Sequence, residues 1–300
     1  MSKKILITGG EGFVGRAFQR WYKENEPETV VTINDIKLGH HDCRYIFQND
    51  KRTKYDLVIH LAAIVGGRMM IEGNPIAVAT DLSIDSEMFN WAVETKQPRV
   101  VYFSSSAAYP IALQDAPYRL FEGDISLDAI RNPDMSYGWA KLSGEMLADY
   151  ARKAGVNVHV FRPFSGYGED QDLDYPFPSF IERAKKIKAG KLRKFDIWGS
   201  GRQVRDFIHI DDIVEAVMKA VELDIQEPIN LGNGKPTSFL ELADICMEIA
   251  GKTVKKKTDE TKPIGVFYRC SDNSKMLQFY QPKISLEEGI ARALKHERKD

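Results

Sequence analysis

The sequence predicts an α/β protein: a doubly wound parallel sheet followed by a smaller C-terminal α/β part. Three observations predict it. Short apolar runs alternate with helical patterns through the first half. A glycine-rich turn separates the first run from the first helical pattern. After residue 163 the alternation gives way to a stretch rich in Gly, Asp and aromatics. Strand–helix alternation needs crossover connections, and crossovers set neighbouring strands parallel.

In order, the strands are expected at 3–7, 29–34, 56–61, 99–104 and 157–162, with helices at about 13–24, 75–96 and 136–154. The last of these helices has a marked end. Arg152 and Lys153 complement its dipole, and Gly155 supplies a C-cap. The stretch from Phe164 to Tyr175 reads as a loop over a site. A basic helix is expected at about 178–189, a short strand at Ile229-Asn230-Leu231 and a helix at 237–250. The Lys/Thr/Glu run at 252–262 reads as a solvated surface loop. Two domains are expected: 1–165, with a return segment near 205–235, and 166–300.

Composition excludes several function classes. A net charge of -1 offers no basic field for nucleic acid or an anionic membrane. No apolar run approaches the roughly 20 residues of a membrane span. The apolar run after Met1-Ser2-Lys3-Lys4 is too short for the core of a signal peptide. Cys43, Cys246 and Cys270 are odd in number and far apart, which suggests a reducing compartment without a disulfide framework. Metal-ligand spacing is missing, since His40 and His41 are adjacent and no Cys-x-x-Cys occurs. The expectation is a soluble cytoplasmic protein with no metal.

Thr8-Gly9-Gly10-Glu11-Gly12-Phe13-Val14-Gly15 follows the apolar run Ile5-Leu6-Ile7. Its Gly10-x-Gly12-x-x-Gly15 spacing fits the Rossmann-type dinucleotide fingerprint, after a strand and before a helix. Glycines let backbone N–H groups approach a pyrophosphate, and the positive end of the helix dipole favours it. Asp35 follows the next apolar run. An acid there accepts bonds from ribose hydroxyls and repels a 2′-phosphate, so NAD is expected over NADP. Lys37 nearby moderates that preference.

Tyr137 and Lys141 stand four apart and share one helix face. A phenol near its reference pKa of roughly 10 is a poor base at neutral pH. A close ammonium and a positive nicotinamide ring favour the phenolate, which makes Tyr137 a general acid or base. The serines after Val100-Val101-Tyr102-Phe103 sit at a strand end, placed to polarise the same substrate oxygen.

These residues, in this order, resemble the extended short-chain dehydrogenase/reductases, in particular the nucleotide-sugar epimerases and dehydratases. The resemblance spans nearly the whole chain. It is carried by the glycine loop, Asp35, His41-Asp42-Cys43-Arg44, His60-Leu61-Ala62-Ala63, Ser104-Ser105-Ser106 and Tyr137/Lys141. It continues through Arg162-Pro163-Phe164-Ser165-Gly166-Tyr167-Gly168, the segment Trp198 to Phe207, Asn230-Leu231-Gly232, and Arg269 with Asp272. It implies an NAD site at Gly9, Gly12, Phe13, Val14, Gly15, Asp35, Asp42, Cys43, Leu61, Ala62, Ala63, Tyr137 and Lys141. It implies a nucleoside diphosphate sugar held by Gly67, Ser105, Ser106, Ser165, Arg205 and Arg269, the two arginines at the pyrophosphate. In the family the catalytic hydroxyl lies four residues before the tyrosine of a Tyr-Gly or Tyr-Pro pair. Here Tyr109-Pro110 selects Ser105, with Ser106 the fallback. The resemblance also implies a homodimer in which the helices at 75–96 and 136–154 pair with their copies. Met88, Phe89, Trp91, Ala92, Leu142 and Leu147 are candidates for that interface or for the core.

Residues after the catalytic hydroxyl separate the family's chemistries. Dehydratases carry Thr-Asp-Glu there and decarboxylases a Glu two places on, whereas this chain has Ser106 and Ala107. Val65-Gly66-Gly67, Tyr109-Pro110 and the Trp198 segment resemble the GDP-mannose 3,5-epimerases. Their cysteine position is Ala107 here, and the loop Glu169–Asp174 holds no lysine. What remains is hydride chemistry at C4 with Ser105, Tyr137 and Lys141. 4-Epimerisation comes first, with net oxidation or reduction at C4 as the alternative. A non-catalytic dinucleotide sensor is the opposing class, and a sensor has no need of the proton relay. Two departures from the family pattern are Ser165 and Asp81, where asparagines are usual.

Overall fold

The computed structural model describes residues 2–40, 42–66, 68–262 and 264–297. In chain order, β1 (Lys4–Thr8), α1 (Phe13–Asn25), β2 (Val30–Asn34), α2 (Cys43–Asn49), β3 (Leu57–His60), α3 (Arg68–Gly73), α4 (Ala77–Glu94) and β4 (Arg99–Phe103) come first. They are followed by β5 (Arg119–Leu120), α5 (Met135–Lys153), β6 (Asn157–Pro163), β7 (Ser165–Tyr167), α6 (Pro176–Lys188), β8 (Lys194–Trp198) and β9 (Val204–His209). The chain ends with α7 (Ile210–Glu222), β10 (Ile229–Leu231), β11 (Pro236–Ser238), α8 (Phe239–Ile249), β12 (Lys255–Asp259), β13 (Tyr268–Ser271) and α9 (Leu286–Lys295).

A parallel six-stranded sheet runs β10-β6-β4-β3-β1-β2. Period-two alternation splits β1 between two cores. Ile5 and Ile7 face α1 and α7, while Leu6 faces α2, α4 and α5. Both faces are covered, so Leu57-Val58-Ile59-His60 is buried throughout. From β1 the chain steps out to β2, then returns to β3 on the other side. Strand order reverses there, and such switch points place ligands at the C-terminal strand ends. Thr8, Asp35, His60 and Ser104 stand at those ends.

A second sheet, β11-β9-β13-β5 with β7 paired to β9, continues from the first. Beside it, α6, α8 and α9 close a third core around Phe180, Phe195 and Leu242. No helix among the described residues is long and apolar enough to cross a membrane.

Two expectations need correction. The run at 252–262 is not all loop: Lys255–Asp259 forms β12, parallel to β8. Its lysines hid the strand, because a solvated edge strand needs no apolar side and lysine discourages edge pairing. Ser165–Tyr167 is likewise a strand within a stretch read as loop. Of the two readings given for Met88, Phe89, Trp91, Ala92, Leu142 and Leu147, the core holds for the first five, which are buried in the chain's own interior, and Leu147 is half-buried against the α2/α4/α5 core. The helix α7 was passed over, although Ile210, Ile213, Val214, Val217 and Val221 have helical spacing and all are buried.

One buried ion pair ties these parts together. Arg162 on β6 donates to Glu145 on α5 at 2.6 and 2.9 Å, with both side chains at 4% exposure or less. The same guanidinium donates to the Glu122 carbonyl and the Tyr109 hydroxyl. Ser104 at the end of β4 donates to Glu145 at 2.5 Å. Removing one partner of a buried pair strands the other charge. Glu145→Ala is therefore expected to destabilise by about 3–5 kcal/mol in urea denaturation. Arg162→Lys should also lose stability, since one ammonium cannot span the bidentate geometry. A loss below about 1 kcal/mol for Glu145→Ala, the scale of a surface pair, would contradict this assignment.

Candidate active site

The dinucleotide cradle is built from crowding. Gly9 has φ +69, and a Cβ there would lie 2.8 Å from the Ala62 amide nitrogen. A Cβ on Gly15 would lie 2.4 Å from the Gly10 carbonyl oxygen. The end of β1 thus presses against Leu61 and Ala62 after β3, and Thr8 Oγ1 accepts the Leu61 amide at 3.3 Å. No side chain caps α1 at Gly12, which leaves its first-turn amides for an anion. Asp35 is fixed at the end of β2 by two amides: Glu11 N donates to Oδ2 and Lys37 N to Oδ1, each at 2.8 Å. This donor set and fixed carboxylate fit a nicotinamide dinucleotide. Phe13 and Val14 pack on the α1 core, and Ala63 follows Ala62.

Asp42 and Cys43, expected at the dinucleotide, stand at the start of α2. Asp42 caps α2 and pairs with Arg44 at 2.8 Å. Cys43 points into the core, where burial pushes its thiol up to about 12. Arg16, directly after the last motif glycine, was missed by the sequence reading. It donates to the Glu11 carbonyl and to Asp170, joining the glycine loop to the 169–170 loop.

The serine run divides by direction. Ser104 turns in to Glu145, and Ser106 is buried. Ser105 opens a short 3-10 turn, accepting the Ala107 amide at 3.1 Å, and hydrogen-bonds Tyr137. Lys141, one turn along α5, is buried with Nζ 5.8 Å from the Tyr137 ring centre and 5.3 Å from that of Tyr102. Ser105, Tyr137 and Lys141 are thus brought together.

Two buried carboxylates on α4 complete the surroundings. Asp81 accepts the Ile64 amide at 2.5 Å. Asp85 accepts from the Tyr102 hydroxyl at 2.5 Å and contacts His60 Nε2 at 3.2 Å, while His60 Nδ1 meets Thr8 Oγ1 at 2.8 Å. Their i,i+4 spacing was the available sequence signal. Burial raises Asp81 to about 6, aided by Asp85 and opposed by the Ile64 amide and Lys141. Burial also works to raise Asp85, but Lys141, His60 and Tyr102 outweigh it and hold Asp85 low. The Tyr137 phenol is raised, first by desolvation and then by Asp81 and Asp85, against the lowering bond from Ser105. This differs from the expectation that Lys141 makes the phenol acidic, because desolvation and then the two carboxylates oppose its ionisation.

On the substrate side, Ser165 opens β7 opposite Phe207. Arg205 and Arg269 are Cα partners on β9 and β13. Arg205 donates to the carbonyls of Val204, Val266 and Ile264 and lies over Phe239. Asp206 turns the other way, accepting from Ser271, Asn233 and Gly234. Arg269 donates to Gln114 at 2.5 Å and Asp134 at 2.6 Å. Gly67 and His41 lie outside the described residues.

A family model described as the NAD dependent epimerase/dehydratase family matches residues 5–232. The chain is 28% identical to a dTDP-4-dehydro-6-deoxy-D-allose reductase from a Streptomyces species, across 91% of this chain and 89% of the relative. It is 26% identical to GDP-L-fucose synthase 1 of Arabidopsis thaliana, across 97% of this chain and 91% of the relative. Its fold is similar to that of a GDP-mannoheptose C4 reductase from Campylobacter jejuni with NADP bound, with TM-score 0.82, 20% identity and 97% of each chain covered.

The Asp81 carboxylate yields a signed prediction. Its folded pKa is raised from roughly 3.9 to about 6, so its ionisation destabilises the fold as pH rises between those values. Asp81→Asn keeps an acceptor for Ile64 and removes the charge. The variant is expected to match wild type in stability at pH 4 and to exceed it above pH 6 by on the order of 2 kcal/mol. Its Tyr137 phenol should ionise at lower pH, moving the alkaline limb of kcat/KM down. Equal stability at both pH values together with an unmoved limb would refute the electrostatic assignment.

Proposed function

The chain belongs to the NAD-dependent epimerase/dehydratase family, and on that premise we propose that this enzyme reduces the 4-keto group of a nucleoside diphosphate sugar. The observation that carries the reading is the meeting of Ser105, Tyr137 and Lys141: Tyr137 hydrogen-bonds Ser105, and Lys141 Nζ lies 5.8 Å from its ring centre. Desolvation first, and then the charges of Asp81 and Asp85, oppose ionisation of the Tyr137 phenol. A group held as an acid suits proton donation to a developing alkoxide. The Streptomyces relative, named as a reductase of a 4-dehydro sugar on dTDP, supports the same direction.

When bound, the reduced nicotinamide supplies the hydride to C4. The chain's own residues do the rest. Ser105 donates a hydrogen bond to the C4 oxygen. Tyr137 gives that oxygen its proton, and Lys141 stabilises the phenolate left behind. The buried Lys141 ammonium stays in place because Asp81 and Asp85 hold it by charge. Arg205 and Arg269, on partnered positions of adjacent strands, face the pyrophosphate. Asp35 sets the dinucleotide preference toward NAD by repelling a 2′-phosphate. A homodimer through α4 and α5 belongs to the same reading, with Leu82, Trp139 and Tyr150 exposed on those helices.

4-Epimerisation, which the sequence reading placed first, is the second reading. The family's name and the bare Ser105/Tyr137/Lys141 set favour it. Incubation with a 4-keto nucleotide sugar and reduced dinucleotide separates the two. Stoichiometric dinucleotide oxidation is expected; interconversion of 4-hydroxy sugars on recycled, retained dinucleotide would replace reductase by epimerase.

Tyr137→Phe is expected to lower turnover by about two to four orders of magnitude while dinucleotide affinity holds. Near-wild-type turnover would end the proton-donor role. Titration calorimetry should show tighter binding of NAD than NADP, with Asp35→Ala narrowing the gap; equal affinities in the wild type would remove Asp35 from cofactor choice.

Arg205→Ala should raise KM for the sugar nucleotide by a loss of roughly 1.5–3 kcal/mol, the range for bonds to charged groups. Dinucleotide affinity should stay unchanged. Equal kinetics with the free sugar, or an unchanged KM, would remove the nucleotide from the substrate.

A further inference from the structure

We propose that Arg269 is a positioning residue for Tyr137: from the substrate-side sheet it holds the catalytic helix and the Ser105 turn against each other. This rests on the reading of Tyr137 as proton donor and goes beyond a pyrophosphate contact.

The grip is two-sided. Arg269 Nη2 donates to Asp134 Oδ2 at 2.6 Å, with the pair 13% and 3% exposed. Its Nε donates to Gln114 Oε1 at 2.5 Å. Gln114 is fully buried, and its Nε2 donates to the carbonyls of Tyr109 and Pro110, which follow the Ser105 turn. Its own carbonyl accepts the Tyr268 amide, the residue before Arg269. Asp134, on the other side, donates its amide to the Ala107 carbonyl and accepts the Gly138 amide. One guanidinium therefore bridges the segment after Ser105 and the residue that opens α5, three positions before Tyr137.

Two features show that this start of α5 needs holding. Met135, the first residue of α5, has φ +59, a left-handed conformation that a non-glycine residue keeps only when its surroundings impose it. Asp134 stands at the N-cap with an extended backbone, yet its carboxylate makes no capping bond to the helix. An N-cap aspartate ordinarily accepts an amide at the second or third helical position, here Ser136 or Tyr137. Arg269 draws the carboxylate away from that role. Without Arg269, Asp134 is released to cap the helix, and the turn that carries Tyr137 settles differently against Ser105.

The experiment combines Arg269→Ala, Arg269→Lys, Asp134→Ala and the Arg269/Asp134 double alanine variant. Readouts are steady-state kinetics with a 4-keto nucleotide sugar, dinucleotide Kd, and hydrogen exchange of residues 135–140. Arg269→Ala is expected to lower kcat by roughly 10- to 100-fold, the scale of small misplacements, with dinucleotide Kd within about twofold. Exchange of its 135–140 amides should differ from wild type, slowing at Ser136 or Tyr137 where the released Asp134 carboxylate caps the helix. Arg269→Lys should recover part of kcat, since one ammonium reaches Asp134 or Gln114 but does not fork to both. The double variant should lose at most about twofold more than the worse single, because the two residues act as one unit.

A raised KM at unchanged kcat in Arg269→Ala would overturn the proposal and leave Arg269 a substrate ligand. Multiplying losses in the double variant, or unaltered exchange at 135–140, would overturn it as well. A wild-type protein that turns over no 4-keto nucleotide sugar would refute the reductase reading. The exchange measurement would still decide the Arg269 clamp in that case.

Discussion

The bidentate contact between Arg162 and Glu145 is the constraint on which the site's geometry depends. It is buried in the seam where β6, α5 and the end of β4 meet. Every hydrogen bond around it leads to a functional segment. Through Ser104 it fixes the residue before Ser105. Through Glu145 it fixes the helix that carries Tyr137 and Lys141. Through Glu122 and Tyr109 it reaches Asn230, whose side-chain amide donates to the carbonyls of Leu120 and Asp272 on the substrate side. A planar guanidinium suits this place because it can fork toward a carboxylate and still serve two neutral acceptors. A buried pair earns little net stability over an apolar replacement, so its value here lies in direction: it permits one register of α5 against β4.

A second buried set, Thr8–His60–Asp85–Tyr102, does for charge what Arg162 does for position. It links the end of β1, where the dinucleotide cradle begins, to the ring over which Lys141 lies. Lys141 faces two aspartates and two phenols in a water-poor space, where electrostatic terms are large. Its charge is shared among them. The outcome for Tyr137 follows from its desolvation first and then from its charged neighbours, not from the Tyr-x-x-x-Lys spacing alone. The same spacing with neutral residues at 81 and 85 would give a more acidic phenol.

Much of the fold was legible. The strands β1, β2, β3, β4 and β6 and the helices α1, α4 and α5 follow from alternation, since a sheet covered on both faces demands continuous apolar runs; the short α2 and α3 were not read. The glycine loop was legible because its spacing lies within one short segment, where Gly15 meets the carbonyls of Gly9 and Gly10, although the backbone that Gly9 meets, Leu61 and Ala62, comes from a distant one. The edge strand β12 was not legible, because hydrogen bonding to β8 rather than burial makes it a strand. Cys43 was assigned to the cofactor side by its place in a motif, and tertiary packing turned its side chain into the core.

The sequence by itself determined the parallel architecture, the glycine turn between β1 and α1, and the Tyr137/Lys141 pair on one face of α5. These are properties of local pattern and of residue chemistry. Tertiary structure decided what holds the three adjacent serines apart: Ser104 turns in to Glu145, while Ser105 meets Tyr137. It also decided that Asp81 and Asp85 crowd Lys141, and that Arg269 reaches Asp134, 135 residues away along the chain. Those outcomes depend on which distant segments share a low-dielectric space, and no spacing within one segment encodes that.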